Sequence, residues 1–449
     1  MAYCLAALAL ACFLRAIPEM ASPYPVGYDA PLYAYHVEHI LEEPLPVLLK
    51  MPPLFYLLCW ALLRASGTDA LHLLKFVAPL TYGSLAFSFY AFLRKGLGLR
   101  DREALLCVLV CFSQLPTLRL SWDLFRNEFG LALALAFITI VEGYRGRWKW
   151  ALASLMAFLT ALSHQLAFFL IAVWSACRTL SDLRSGEERP WKMPLALVPA
   201  LALFSYQLAF FLHLLPPVGP YEVGRTVIRL EPEGLGNPYG FPRDYFLTAS
   251  FLGYSYARFA LAVLKLMAVC YLPILPPVLL GLRRHKVLEP LVAWPLLATL
   301  TALLCPHAYP FYSFSRWLLF LVFPLSVYAT WGLGELRARA RGLRKMAYAI
   351  PLAYLIMGLG YASGAFSYIV DRDVNAFFPR SLVESTIGLR QIDDCLACLD
   401  WLNDHAGPNS VLITEQRFYG WALNFLEPRI TIALYPHGYP LGALSLIHI

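Results

Sequence analysis

One aspartate of this chain stands where a carboxylate could act as a base or as a metal ligand. It lies in Pro25-Val-Gly-Tyr-Asp29-Ala-Pro-Leu-Tyr-Ala-Tyr-His36, directly after a long apolar run. A carboxylate held near a membrane surface among Tyr and Pro residues has a raised chance of a chemical role. The alternative is structural, because Asp is favoured just before a helix, where its side chain caps free amides. The residue types alone leave both interpretations open.

A second polar segment, Trp122-Asp-Leu-Phe-Arg-Asn-Glu128, separates two apolar runs. Its polarity requires a position that faces water or a site. On one helix Asp123 and Arg126 would share a face, and the planar fork of Arg126 matches phosphate oxygens. The two residues form either a plain ion pair at a membrane boundary or an acidic group beside a phosphate anchor. Glu128 is a weaker alternative to Asp123.

Histidines accompany both segments. Ser163-His164-Gln165 divides an uncharged run, and His164 either caps a helix or lines the same outer cavity as Asp29. His36 and His39 have a spacing that would let them ligate a metal with Asp29, although no further ligand stands at a recognisable spacing.

A last polar cluster, which we expect at the outer surface, contains His307, Tyr309, Tyr312 and Arg316. An interfacial aromatic belt explains the tyrosines without any chemical role. Arg316 is a second candidate for binding a lipid phosphate.

The elements that must position these residues are apolar helices. Of the 449 residues 59% are apolar and 14% are charged, whereas about a quarter are charged in soluble domains. Runs of bilayer length recur along the chain. We therefore predict an all-α polytopic membrane protein and exclude disordered, collagen-like, small disulfide-rich and nucleic-acid-binding classes. The net charge of +7 comes from short basic clusters between the apolar runs.

Five of these basic loops carry more than half of the 36 Lys and Arg residues. Such loops stay in the cytoplasm, so an even number of crossings must separate them. This rule predicts eleven spans, with the N-terminus cytoplasmic and the C-terminal segment extracytoplasmic. The predicted spans cover about 1–17, 71–93, 103–119, 129–144, 149–163, 166–180, 193–215, 257–282, 287–305, 316–334 and 346–367.

The eleven-span topology leaves residues 18–70 as a long first outer loop within a transmembrane domain of residues 1–367. In that loop Lys50-Met-Pro-Pro-Leu-Phe-Tyr56 opens a helix embedded in the membrane surface, and its prolines suit a first helical turn.

Residues 368–449 change in composition and predict a small extracytoplasmic α/β domain. Its expected elements are a helix over Ile392 to His405, a strand over Ser410 to Thr414, a helix over Arg417 to Leu426 and a strand over Arg429 to Leu434. The pattern stops at Ile449 without a closing element, so we expect an incomplete domain. Cys395 and Cys398 share a helix face there, and we expect a packing or disulfide role for them.

The order of these elements resembles the GT-C superfamily of integral-membrane glycosyltransferases. That superfamily includes protein mannosyltransferases and lipid A aminoarabinose transferases, and we expect a prokaryotic member. The resemblance extends over nearly the whole chain as an order of elements, and its sharper motifs are Gly27-Tyr28-Asp29, Lys50-Met-Pro-Pro and the polar segment that starts at Trp122.

The resemblance implies transfer of a sugar from a polyprenyl-phosphate donor, such as dolichyl phosphate, to a hydroxyl of a protein, lipid or glycan. A single displacement at the extracytoplasmic face would invert the anomeric centre. The implied roles are a general base for Asp29, acceptor or divalent-metal (Mg or Mn) binding for Asp123 with Asp29, phosphate binding for Arg126 and Arg316, and substrate binding for Tyr28, His164 and His307. The polar segment lacks an Asp-x-Asp motif, which argues against a metal-bridged site.

Two other classes stay open. An oligosaccharyltransferase would transfer a preassembled glycan, but such enzymes carry a Trp-Trp-Asp-Tyr-Gly type of motif in the outer domain, which this sequence does not contain. A membrane transporter would carry paired inverted repeats, broken helices at mid-membrane and charges inside its spans. Here the charges lie mainly at the predicted span ends.

Overall fold

The computed structural model describes residues 2–186, 190–211, 214–215, 227–229, 256–283, 285–304, 314–338, 341–366, 382–385 and 387–435. In these ranges the chain is mostly helical and has one small sheet. The helices α1 to α10 are Ala2–Glu19, Ala30–His39, Leu45–Lys50, Leu54–Ser66, Ala70–Ala91, Asp101–Phe112, Leu115–Asp123, Phe125–Gly143, Lys149–Ser163 and Gln165–Arg184. The helices α11 to α19 are Lys192–Phe211, Tyr256–Tyr271, Leu275–Gly281, Glu289–Leu304, Phe314–Phe320, Val322–Ala338, Arg341–Ala362, Ile392–His405 and Gln416–Phe425. A π-helical turn, Phe92–Gly96, extends α5, and a 3₁₀ turn, Leu389–Gln391, precedes α18.

Five helical segments in the described part of the chain are long and apolar enough to cross a membrane, or seven if each of two bent pairs counts as one span. The five are Ala2–Glu19, Ala70–Gly96, Gln165–Arg184, Lys192–Phe210 and Arg316–Ala338. The protein is therefore a helical membrane protein. The eleven-span topology and the orientation of the termini stay predictions.

The span predicted over 103–119 is broken in the structure, because α6 and α7 meet at an angle of 66°. Pro116 lacks the amide that would continue the helix by donating to the Phe112 carbonyl. That carbonyl instead accepts from the Tyr82 hydroxyl at 2.7 Å. The bend turns α7 away from the α6 axis, and Asp123 is the last residue of this short helix.

The span predicted over 257–282 is also broken, since α12 and α13 meet at 73°. Pro273 lies in the break, where its ring cannot continue a helix. The Pro273 carbonyl accepts a hydrogen bond from the Tyr354 hydroxyl at 2.9 Å.

The first outer loop contains three short helices, α2, α3 and α4. The helix expected after Lys50 is α4, but Pro52 and Pro53 precede it instead of forming its first turn, since α4 begins at Leu54. Gly67 ends α4 in the left-handed conformation, at φ +68°.

The C-terminal region contains the expected helix, strand, helix and strand, as α18, β2 (Val411–Glu415), α19 and β3 (Thr431–Tyr435). A third strand, β1 (Val227–Arg229), comes from the segment between α11 and α12 and pairs with β3. The sheet order is β1-β3-β2 with both pairings parallel. No strand was predicted between the spans expected over 193–215 and 257–282, where β1 lies.

The α/β region packs directly on α2, the helix that follows Asp29. Asn424 donates from Nδ2 to the Pro31 carbonyl at 2.6 Å. The ring of Trp421 is fully buried and contacts Tyr24 edge to face at 5.4 Å between centroids. These contacts fix the α/β region against the loop that carries the candidate base.

Candidate functional site

The loop before Asp29 is held by a buried ion pair at the end of α1. Arg15 and Glu19 are 1% and 4% exposed, and their charged groups are 2.6 Å apart. Arg15 also donates to the carbonyls of Ser121 and Val26 at 2.8 and 3.1 Å. Glu19 accepts from the Val26 amide at 3.0 Å. One buried pair therefore ties the loop both to α1 and to α7.

Gly27 brings this loop into contact with the end of α7. Its φ of +138° favours glycine, and a Cβ at this position would lie 2.1 Å from the Trp122 carbonyl oxygen. The contact is held from the other side by the segment 382–385. Trp122 Nε1 donates to the Glu384 carbonyl at 2.7 Å, and Ser385 Oγ donates to the Gly27 carbonyl at 3.4 Å.

Asp29 occupies the position before α2 where a capping side chain would stand, but its carboxylate makes no capping hydrogen bond. The hydrogen bond that the capping interpretation expects from this side chain is therefore absent. Only the main-chain carbonyl of Asp29 accepts a helical hydrogen bond, from the Tyr33 amide at 2.9 Å. The carboxylate keeps a partial opening to the surface, yet dense protein around it removes most water. This desolvation, followed by the charge of Asp123, raises the pKa of Asp29 from 3.8 to about 7, against the opposing effect of Arg316, Arg119 and Arg126.

Asp123 pairs with Arg119, one turn earlier on α7, and both side chains are largely buried. The alternative of an i,i+3 ion pair between Asp123 and Arg126 required one continuous helix, but α7 ends at Asp123 and α8 starts at Phe125 after a break at Leu124. The break places Arg126 on a different helix from Asp123. Arg126 is consequently left available for another partner.

Arg126 is stacked on an aromatic group instead. Its guanidinium carbon lies 5.0 Å from the centre of the Tyr56 ring, and Nη1 donates to the Tyr56 hydroxyl at 3.4 Å. Tyr33 packs between Tyr56 and Phe125, with centroid distances of 5.6 and 5.3 Å. Among the described residues, Nε of Arg126 is buried without a hydrogen-bond partner. The Tyr56 ring thus orients the guanidinium of Arg126, whose Nε donor has no hydrogen-bond partner among the described residues.

The site combines two carboxylates with three cations. Asp29 lies within electrostatic range of Asp123 and of Arg316, Arg119 and Arg126. Arg119 is engaged by Asp123, which leaves Arg126 and Arg316 as the cations best placed to meet an added negative charge. The predicted residues Asp29, Asp123, Arg126 and Arg316 are therefore brought together.

His164 is also near this group, within electrostatic range of Arg316 and Arg126. Its ring nitrogen Nδ1 accepts from the Leu166 amide at 3.2 Å, so it caps α10 as the structural interpretation expected. Ser163 donates to the Arg126 carbonyl at 3.4 Å. His164 therefore has a structural role as the cap of α10. Its substrate-binding role stays a prediction.

Tyr28 is half-buried next to Asp29. Burial and then the Asp29 charge raise the pKa of Tyr28 to about 12, so its hydroxyl keeps its proton at ordinary pH. The phenol can therefore donate a hydrogen bond to a substrate.

The other histidines of the first loop are occupied by protein contacts. His36 is buried against Tyr56, and burial with the nearby Arg126 charge lowers its pKa to about 4. His39 stacks on Tyr35 and its Nδ1 contacts the Tyr35 carbonyl at 2.9 Å. His307, Tyr309 and Tyr312 lie outside the described residues.

The described residues contain no group of three or more His, Cys, Asp or Glu side chains able to hold a metal. The Asp29 and Asp123 pair also does not suit a divalent cation, because Arg119 already engages Asp123 and two further arginines crowd Asp29. The Mg or Mn interpretation therefore finds no support in this arrangement. Cys395 and Cys398 are free thiols.

Sequence reasoning missed Arg119 and Tyr56 as contributors to the site. It named Gly27 in a motif but did not predict its contact with Trp122. The spacing of four between Arg119 and Asp123 was a usable signal, since such pairs meet on one helix face. Tyr56 carried no comparable signal, because its contact with Arg126 joins residues that are 70 positions apart.

Of three comparisons with known proteins, only the one with solved structures gives a match. No family model matches the chain. No curated protein matches it either. Among solved structures it is similar to the cryo-EM structure of the arabinofuranosyltransferase AftD from Mycobacteria, with a TM-score of 0.48 and 14% identity. The match covers 92% of this chain and 29% of that one, so this chain spans less than a third of that protein's length.

Proposed function

We propose that this protein is a membrane glycosyltransferase that moves a sugar from a polyprenyl-phosphate donor to an acceptor hydroxyl, with inversion and with Asp29 as the general base. The observation that carries the proposal is the state of Asp29. It stands at a capping position without capping, and its pKa is raised to about 7 within electrostatic range of Arg126 and Arg316, the two arginines that would meet the phosphate.

The base role follows from the chemistry of the acceptor. A hydroxyl that attacks an anomeric carbon must lose its proton, and a base whose pKa lies near the working pH does this best. Asp29 would take that proton as the new glycosidic bond forms. The bond from the anomeric carbon to the phosphate oxygen breaks in the same step, and the electron pair leaves with the phosphate.

The leaving phosphate gains negative charge in this step, so a cation fixed in advance would lower the barrier. Arg126 fits this task because Tyr56 holds its plane and Nε has no protein partner within the described ranges. Arg316 would supply a second positive charge. Asp123, bonded to Arg119, would place a carboxylate beside the acceptor without adding a free negative charge at the phosphate.

A transporter is the second candidate, since two bent helix pairs are present and broken helices line transport sites. The experiment that separates the two is Asp29→Asn, assayed in membranes of matched protein content. Asn keeps the size of Asp but cannot accept the proton. Sugar transfer and polyprenyl-phosphate release should fall by about 100- to 10,000-fold, the range for a lost general base.

Donor binding by Asp29→Asn should stay near the wild-type level, because Arg126 and Arg316 are unchanged. If Asp29→Asn retained more than about a tenth of the wild-type turnover, Asp29 would be excluded as the general base. Movement of solute across sealed vesicles without any transfer product would favour the transporter.

A further inference from the structure

The α/β region presents a charged pair close to the candidate site. Glu415 ends β2, and Arg417 follows in the first turn of α19. Arg417 donates from Nε and Nη2 to Glu415 Oε2 at 2.9 and 2.6 Å. The Arg417 side chain is 46% exposed and the Glu415 side chain is 20% exposed, so the pair lies at the surface and not in the core of the domain.

The position of this pair relative to Asp29 is fixed by α19. Arg417, Gly420 and Asn424 share one face of that helix, because they are three and four residues apart. A Cβ at Gly420 would lie 2.9 Å from the Leu32 amide nitrogen, and Asn424 bonds the Pro31 carbonyl. Arg417 is therefore held one turn before a tight contact with the residues that follow Asp29.

Tyr28 links the pair to the candidate base. The charges of Asp29, Arg417, Asp123 and Glu415 all act on its phenol. Tyr28 is therefore within electrostatic range of both the carboxylates of the site and the Glu415–Arg417 pair.

We propose that Tyr28, Glu415 and Arg417 form the acceptor subsite, and that the acceptor is a neutral carbohydrate. This inference rests on the proposed function, because it supplies the hydroxyl that Asp29 would deprotonate. A carboxylate accepts hydrogen bonds and a guanidinium donates them, so the adjacent pair complements neighbouring sugar hydroxyls, each of which does both. The phenol ring adds an apolar face for the C–H side of the sugar. The pair has no net charge and gives no particular attraction to a charged acceptor.

A peptide acceptor is the competing occupant. Among the described strands β2 is at the edge of the sheet, and an extended peptide would bind by adding a strand there. The geometry favours the carbohydrate, because Glu415 and Arg417 lie where β2 ends and α19 begins. In sheets of parallel strands, ligands bind outside the carboxyl ends of the strands.

The test is saturation-transfer NMR on the full chain in lipid nanodiscs with a panel of methyl glycosides of hexoses and pentoses. Wild-type protein should bind at least one glycoside. Arg417→Gln and Glu415→Gln should weaken that binding about tenfold or more, the effect of losing a hydrogen bond to a charged group. Arg429→Gln is the matched control, since Arg429 forms a similarly exposed pair with Glu427 at 2.6 Å in the same region. It should bind like the wild type.

Three results would overturn the proposal. The first is that no glycoside of the panel binds the wild type at millimolar concentration. The second is equal binding by Arg417→Gln and Arg429→Gln. The third is binding of Ser/Thr peptides in place of glycosides, which would assign the edge of β2 to a peptide.

A separate arm uses polyprenyl phosphate as the probe. Its binding should be lost in Arg126→Gln and retained in Arg417→Gln. Absence of that binding in the wild type would count against the proposed function, whereas the glycoside results decide the acceptor subsite independently.

Discussion

Gly27 lies against the main chain of Trp122 so closely that a single added carbon would stand 2.1 Å from the Trp122 carbonyl oxygen. This contact joins the loop of Asp29 to the end of α7, where Asp123 is located. The relation between the two carboxylates therefore depends on the absence of a side chain at position 27. A left-handed φ of +138° adds a second reason for glycine there.

Gly27→Ala should consequently lower both transfer activity and thermal stability. The loop must move away from Trp122, and Asp29 moves with it; a misplacement of about 1 Å can cost about 100-fold in rate. Gly67→Ala is the control, since Gly67 also has a positive φ, of +68°, but nothing lies within 4 Å of its added Cβ. We expect this control to lose at most about 1–2 kcal/mol of stability and to keep its activity. Equal activity of the two variants would show that the contact does not position Asp29.

Arg126→Lys should weaken use of the donor more than its retained charge implies. An ammonium cannot reproduce the planar two-pronged contact with phosphate, nor the stacking on Tyr56. The measurement is donor saturation with a purified polyprenyl-phosphate sugar, with an expected loss of about tenfold or more in kcat/KM, as for a lost charge-assisted hydrogen bond. Arg64→Lys is the matched control, because Arg64 is exposed and stacks on Trp60 at 5.7 Å. If Arg126→Lys saturated like Arg64→Lys, the guanidinium would have a structural role only.

The pH dependence of transfer should reflect Asp29. Its pKa is raised to about 7, so the carboxylate is mainly protonated at pH 6 and mainly ionised at pH 8. The rate should rise nearly tenfold per pH unit below this pKa and level off above it. A rate that does not change between about pH 5.5 and 8.5, a range that brackets the expected base pKa, would exclude Asp29 as the titrating base.

The contribution of Asp29 to folding stability should fall as the pH rises, whereas the transfer rate should rise. Folding raises the pKa of Asp29 above its ordinary value of 3.8, so its contribution to stability is fully present below that pH and is lost as the pH rises towards 7. Asp29→Asn should therefore raise the melting temperature relative to the wild type more at pH 8 than at pH 5. A uniform decrease at both pH values would contradict this pH dependence and could not be assigned to a lost cap, because Asn caps a helix about as well as Asp.

The parts of the fold that depend on local pattern were predictable from the sequence. The apolar runs located the long helices, and the α18 boundaries agree with the expected Ile392 to His405. Strand β2 and helix α19 each lie within one residue of the expected positions. These elements are set by the periodicity of neighbouring residues, which a single sequence contains.

The sequence named several of the residues that meet at the candidate site but not their pairings, and the roles of these residues stay predictions. A plain ion pair of Asp123 with Arg126 was one of two alternatives, yet Asp123 pairs with Arg119, because the break at Leu124 ended the helix on which the spacing argument depended. Strand β1 and the stacking of Arg126 on Tyr56 arise from contacts between distant segments. Such contacts are decided by packing and leave no periodic signal in the sequence.

The orientation of the chain can be tested with cysteines. The predicted topology places the α/β region outside and the basic loop after α10 inside. Cys398 is exposed on α18, whereas Ser185 is exposed just after α10. In sealed cells an impermeant thiol reagent should label native Cys398 and should not label Ser185→Cys in a background that lacks Cys395 and Cys398. Permeabilised cells provide the control, since Ser185→Cys should then react.

Labelling of Ser185→Cys in sealed cells would show that this loop is extracytoplasmic and would contradict the positive-inside argument. Because Asp29 and the α/β region contact each other through α2 and α19, protection of Cys398 in sealed cells would place Asp29 on the cytoplasmic side, away from an extracytoplasmic donor.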